Sequence, residues 1–332
     1  MRDPVRILLL LLSIPIVSLA SIFSPMGSGE YVDFGDAGER GMGGVKIFSV
    51  PENHTFRATF LCDFLRISDG DNIRDERTFS LYGVDYFLPL PDGFGVALSL
   101  SNILSSDFYM ESVGNKLGDI SYERRVTGRG GIQVFSLSMY KKFPRFSLGI
   151  GGIYSFGETE EIWETNFLSS EYDDVFDTLI TPSSGYGLKA RFNCRYKRAV
   201  ISLGYCHHLE SAGLPAQFST SFLYHMNSDW KMEGGLDVAM WKDINVSFST
   251  STNIGLGMCY NLGSTTVRGG LFSRSWYYKG IREMGGSVGT SVLYPDKLGE
   301  LSIGLEVGRR GWEEIDEIFA RLSVTLCGRE IW

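Results

Sequence analysis

The chain has 332 residues, of which 43% are hydrophobic and 21% charged, and its formal charge is −8. That acidic balance argues against electrostatic nucleic-acid binding. A bundle of membrane helices is excluded more firmly, because each span needs about 20 consecutive apolar residues and only the N-terminus approaches such a run.

Residues 1–20 open with Arg2 and Arg6, pass through the apolar run Ile7 to Leu12, and end on Ser18-Leu19-Ala20. Basic flank, short apolar core and small residues at the cleavage positions predict a secretory signal peptide. Pro15 interrupts the apolar run, which disfavours an uncleaved anchor, and no Cys follows the expected cut to carry a lipid. Five cysteines remain, Cys62, Cys194, Cys206, Cys259 and Cys327, with neither even count nor regular spacing. Each lies in a stretch that reads as strand, where Cys serves as a small apolar residue, so unpaired thiols are expected.

Next comes a Gly-rich stretch, Gly35-Asp36-Ala37-Gly38-Glu39-Arg40-Gly41-Met42-Gly43-Gly44-Val45-Lys46. A phosphate loop fails here, because Ile47 rather than Ser or Thr follows the lysine and no strand-to-helix context surrounds it. Missing side chains suit close backbone packing instead, as in a plug held inside a barrel.

From residue 51 onward period-2 alternation replaces any helical pattern. In 185–197 Tyr186, Leu188, Ala190, Phe192, Cys194 and Tyr196 share one face, opposite Lys189, Arg191, Asn193, Arg195 and Lys197. About fourteen such segments are expected, near 55–65, 77–90, 93–104, 130–142, 145–158, 184–197, 198–209, 216–226, 229–241, 247–262, 264–276, 285–295, 299–310 and 315–328, many of the roughly 9–11 residues or more that a tilted strand needs to cross a bilayer. Tight turns such as Lys142-Phe143-Pro144-Arg145 and Asn227-Ser228-Asp229 alternate with mostly longer loops, notably 66–76, 105–129 and 159–183. Alternating loop lengths predict an all-β transmembrane antiparallel barrel with both termini on the periplasmic side. Lipid leaves backbone groups unsatisfied, so such strands must close into a ring. A soluble secreted β protein is the competing fold. Aromatics near strand ends, among them Tyr86, Tyr140, Tyr196, Trp230, Trp241, Trp276, Tyr277, Tyr294 and Trp312, are expected to form interfacial girdles. Trp332 suits the aromatic end that barrel-assembly machinery reads.

The run Asp33-Phe34-Gly35 through Gly41-Met42-Gly43-Gly44 resembles the N-terminal segment of the long-chain fatty-acid transport (FadL-type) superfamily of outer-membrane barrels. Residues 301–311 and 317–332 are similar to the last two strands of a divergent branch of it. The Asn-Pro-Ala motif of the best-studied transporters does not occur in the N-terminal segment. The resemblance implies a fourteen-stranded barrel from 51 to 332, with 21–50 folded inside as a hatch to which Gly41, Met42, Gly43 and Gly44 belong. It implies a channel in the bacterial outer membrane for hydrophobic or amphipathic small molecules such as fatty acids, released past the hatch or sideways through the wall. A barrel of the same superfamily serving as scaffold or shuttle in protein secretion, with a protein partner, or a structural outer-membrane protein, is the alternative.

Strand parity places Lys189, Arg191, Arg195, Arg268, Arg274, Arg310 and Arg321 on the lumenal face, with Glu233, Asp237, Glu306 and Glu317 among them. Ring closure is expected to bring Arg57 and Asp63 beside Glu317 and Arg321. Two readings remain open: a salt-bridged interior that stiffens the ring, or cations that attract a carboxylate headgroup. Catalysis finds no support, and neither cofactor nor metal is expected. His207 and His208 are adjacent and face opposite ways, and no Gly-x-Ser-x-Gly elbow occurs. The 159–183 loop holds Glu160, Glu161, Glu164, Glu171, Asp173, Asp174 and Asp177 without Lys or Arg. It reads as a solvated acidic surface, or as carboxylates for divalent cations bridging lipopolysaccharide phosphates.

Overall fold

The computed structural model describes residues 30–31, 35–46, 50–68, 73–169, 171–209, 213–245, 247–278, 280–294, 298–312 and 315–330. The signal-peptide reading of 1–20 and the terminal Trp332 lie outside the described residues. So do 21–29, 32–34 and 47–49 of the expected hatch.

Sixteen strands occur among the described residues. They are β1 (Glu30–Tyr31), β2 (His54–Ser68), β3 (Ile73–Pro89), β4 (Phe94–Ser105), β5 (Phe108–Leu117), β6 (Ile120–Lys142), β7 (Phe146–Phe167), β8 (Val175–Tyr196), β9 (Ala199–His208), β10 (Gln217–His225), β11 (Trp230–Ala239), β12 (Ser251–Leu262), β13 (Thr265–Ser275), β14 (Arg282–Leu293), β15 (Gly299–Trp312) and β16 (Ile315–Glu330). All but β1 and β5 form a closed, antiparallel, fourteen-stranded transmembrane barrel. The seam pairs β16 with β2, Arg321 opposite Asp63. On the other side β4 pairs with β6, while β5 continues upward from β4 along the same β6 edge.

Alternation fixes which side chains meet lipid. Leu148, Ile150, Leu188, Leu256, Leu271 and Val288 point outward and are exposed, Ile150 at 71%. Exposed Phe146, Tyr196, Tyr224, Trp230 and Tyr294 lie near the periplasmic strand ends, and Tyr186 and Tyr205 stand at the opposite border, as interfacial girdles require. Trp241, Trp276, Tyr277 and Tyr140 depart from the girdle expectation, for all four are buried. Trp241 follows β11 on a short 3-10 turn, so strand parity no longer decides where its ring points. Near the periplasmic rim Lys142 donates to Glu52 at 2.6 Å, and that ammonium holds the Glu52 carboxyl below its usual range.

The strands also run beyond the expected loops. The stretches 105–129 and 159–183 are mostly strand, because β5, β6, β7 and β8 continue past the bilayer as an upright sheet that leaves only short turns. Both faces of this extension meet water, so the polar-apolar contrast that marks a buried face is absent from the sequence.

The wall itself is interrupted. β3 and β4 are laddered only from Gly83↔Ser101 down to Pro89↔Gly95. Above that rung, among the described residues, β3 has no ladder with β4 or β5. Leu104 and Ser105 of β4 pair instead with Tyr31 and Glu30 of β1. Farther up, the Arg74 guanidinium sits 4.0 Å from the Tyr109 ring centre.

Candidate functional site: the barrel lumen

Residues 35–46 lie against the inner wall. Asp36 caps the short helix α1 (Ala37–Arg40) by accepting from the Glu39 amide at 3.0 Å, and Glu39 returns the contact to the Asp36 amide at 3.0 Å. This capping box satisfies two amide donors that a helix start leaves unpaired. Wall side chains hold the backbone that follows. Ala37 N donates to Thr325 Oγ1 at 2.9 Å, Gly43 N donates to Ser287 Oγ at 2.9 Å, and Lys46 O accepts from Ser221 Oγ at 2.8 Å.

Close approach depends on glycine in the wall as well as in the segment. A Cβ placed on Gly270 would stand 2.5 Å from Gly43 N, one on Gly257 2.7 Å from Met42 O, and one on Gly304 2.5 Å from Ala37 O. Gly43 itself has φ +79°, the left-handed region that favours glycine. Backbone therefore packs on backbone, and the Gly-Met-Gly-Gly run is matched by lumen-facing glycines of β12, β13 and β15.

Beside this track lies a buried ionic cluster. Arg274 donates to Glu283 at 2.6 Å and to Glu306 at 2.5 Å. Arg310 contacts Glu317 at 2.6 Å and both Glu283 and Glu30 at 2.8 Å. Arg321 bonds Glu30 and reaches Asp63 at 3.2 Å, and Arg40 bonds Glu306 at 3.1 Å. Four arginines and five carboxylates thus sit together with almost no solvent contact. Two of the nine, Glu30 and Arg40, come from the N-terminal segment. Rings cover the cations, with Arg310 4.4 Å from the Trp276 ring centre and Arg321 4.6 Å from that of Phe319. At a desolvated site each charge needs its partners, because removing one leaves another buried and uncompensated.

The opposite half of the lumen holds a cavity of about 340 Å³. Its lower wall is polar, with Arg57, Lys189 and Arg191 among serines from β4, β6, β9 and β10. Lys189 donates to Ser136 at 2.6 Å, and Arg57 to Asp36 of the N-terminal segment at 2.9 Å. Its upper wall changes character. Ile103, Val134, Ile153, Ala239 and Tyr277 line it and belong to one buried apolar cluster with Trp241. Trp241 stacks on Tyr277 with ring centres 4.1 Å apart, Phe248 meets Tyr277 edge-on at 4.9 Å, and Trp241 Nε1 donates to Ser251 Oγ at 3.1 Å. An aromatic mouth, closed by the fully buried Trp241, thus borders a polar chamber.

The lumenal cations picked out in the sequence divide into three groups. Lys189 and Arg191 line the cavity. Arg310 and Arg321 belong to the ionic cluster, and Arg274 belongs to both places. Arg268 bonds Ser291 under α1, and Arg195 is exposed toward the periplasmic end, outside the cavity lining. At the seam Arg57 stands opposite Cys327 and Glu317 opposite Ile67. Sequence reasoning missed Glu30 and Arg40, whose pairing is entirely non-local, and the aromatic mouth, whose members sit on turns. None of the five cysteines forms a disulfide, and Cys206 Sγ lies 3.7 Å from His208 Nε2.

Scans of family models and of curated proteins return no match. Solved structures do match. The Ralstonia pickettii toluene transporter TbuX superposes with TM-score 0.63 at 10% identity, covering 96% of this chain and 100% of its own. The Pseudomonas putida toluene transporter TodX gives 0.64 at 11%, covering 92% and 99%. The monoaromatic hydrocarbon channel CymD gives 0.58 at 9%, covering 91% and 100%. The chain has the fold of the FadL-type outer-membrane barrels, at an identity that makes it a divergent example of that fold.

Proposed function

We propose that this chain is a channel of the bacterial outer membrane for small molecules that join an apolar body to a polar or acidic head. One observation carries the reading: the closed aromatic mouth, in which Trp241 backs the cavity-lining Tyr277, borders a chamber bearing Arg57, Lys189 and Arg191. An apolar body gains by leaving water at the mouth, and the chamber supplies donors for its head. A cavity of about 340 Å³ suits one aromatic ring or a folded short chain. The toluene transporters of the same fold support an aromatic body, and Lys189 and Arg191 offer its head charge-assisted donors in a chamber that also holds Asp85 and Asp237. Residues 35–46 act as the hatch below, and the unladdered flank of β3 above Gly83, where β1 pairs with the end of β4, is the sideways exit.

Proteoliposomes carrying the barrel test this, with labelled toluene, benzoate and laurate as probes. Protein-dependent entry is expected for all three, with benzoate and laurate saturating at lower concentration than toluene. Entry no faster than into empty liposomes overturns the reading.

A further inference from the structure

The upright sheet has an open flank. β8 is laddered to β7 from Val175 to Cys194, whereas β9 pairs with it only from Gly187 to Tyr196. Among the described residues, 175–184 therefore form an edge strand beyond the bilayer. Its backbone direction follows from one bond: Tyr186 O accepts from Leu209 N at 2.8 Å, on the side where β9 lies. Successive residues of a strand point their N–H and C=O groups to alternate sides. Phe176, Thr178 and Ile180 therefore direct theirs to the open flank, where the Thr178 N–H donates to Asp177 Oδ1 at 2.9 Å and a partner strand would have to displace that carboxylate, while the backbone of Asp177 and Leu179 serves the ladder with β7. Pro182 occupies another flank-facing position, where its missing N–H costs no ladder bond. It also ends the run that a partner strand can use.

Natural edges are blunted by lysine, by bulges or by a covering element. This one carries no lysine and, among the described residues, no bulge or covering element; its only such devices are Pro182 at the end of the run and the Asp177 carboxylate. Val175, Phe176, Leu179 and Ile180 are 54%, 66%, 56% and 56% exposed, and the segment is rich in β-formers. Charge narrows the partner. Residues 158–183 hold eight carboxylates and neither Lys nor Arg. Glu160 is the rung partner of Ile180, and Glu164 that of Phe176. A second copy of this edge would bring like charges together, whereas an extended basic segment would complete the ladder and neutralise the carboxylates.

We propose that Val175–Thr181 is a docking edge that takes up an extended, lysine- or arginine-bearing segment of a partner protein as an added β-strand. This is independent of transport, since the edge lies outside the lumen.

Full-length barrel in detergent and a fluorescent peptide of seven residues alternating Lys with Val make the test, beside the same peptide with Glu for Lys. The Lys peptide is expected to bind saturably and to slow hydrogen exchange at Phe176, Thr178 and Ile180. Ile180→Pro, which removes a flank-facing N–H without breaking the β7 ladder, should weaken binding by about tenfold or more, and Ile180→Val should leave it unchanged. Heat-modifiable gel migration establishes that each variant is a closed barrel. Equal binding by wild type and Ile180→Pro, equal binding of the Glu peptide, or no binding at all overturns the proposal. So does a wild-type dimer that Ile180→Pro makes monomeric, because a second copy would then occupy the edge.

Discussion

Glu306 of β15 holds Arg40 of the N-terminal segment at 3.1 Å with one carboxylate oxygen and Arg274 of the wall at 2.5 Å with the other. One side chain thus joins the segment inside the barrel to a residue that also lines the cavity. Glu306→Gln should leave Arg40 and Arg274 without that charge and destabilise the docked segment by about 3–5 kcal/mol. Limited proteolysis should then cut within residues 35–46 while the barrel keeps its heat-modifiable migration. An equally protected segment in the variant would show that Glu306 does not fasten it.

The glycine track yields a sharper contrast between neighbours. Gly270→Val adds carbons where Gly43 N and the Met42 carbonyl carbon stand 2.5 Å from the Cβ position, whereas a Cβ on Gly269 meets only Ser287 O at 3.8 Å. Valine suits a strand at either place. Faster amide exchange at Met42 to Gly44 is expected for Gly270→Val and not for Gly269→Val. Equal exchange in the two variants would refute close packing on the track.

Trp241→Ala removes the ring that stacks on Tyr277, at a cost of about 3–5 kcal/mol for a buried aromatic. The mouth should then pass ions. Planar-bilayer recordings are expected to show higher single-channel conductance than wild type, and unchanged conductance would place the constriction elsewhere.

Under the proposed function Lys189 and Arg191 contact the head of the substrate and not its body. Replacing both by Ser deletes charge-assisted contacts that contribute about 1.5–3 kcal/mol each, so benzoate should saturate at a concentration roughly tenfold higher or more. Toluene entry should stay the same. If both probes change together, the cations shape the chamber rather than read a carboxylate.

Much of the wall was legible because each spanning strand meets lipid on one side and the lumen on the other. Leu188 and Arg191 betray that contrast in the sequence. It vanishes where both faces are wet, which is why Glu158 to Phe167 reads as loop although it continues β7. The lumen was legible only in part. Parity places Arg274, Arg310 and Arg321 indoors, and Gly-Met-Gly-Gly signals close packing. Which carboxylates they meet depends on the seam register and on where Glu30 and Arg40 settle. Neither has a local signature, and Trp241 sits on a turn where periodicity is silent.

The ionic cluster also constrains how the molecule is made. Glu30 bonds Arg310 and Arg321, which stand on β15 and β16 beside the seam, and Asp63 reaches Arg321 across it. A ring closed without the segment would leave Arg310 and Arg321 short of the Glu30 carboxylate. Seating Glu30 indoors and zipping β16 to β2 therefore stabilise one another, so that threading and closure are coupled in assembly.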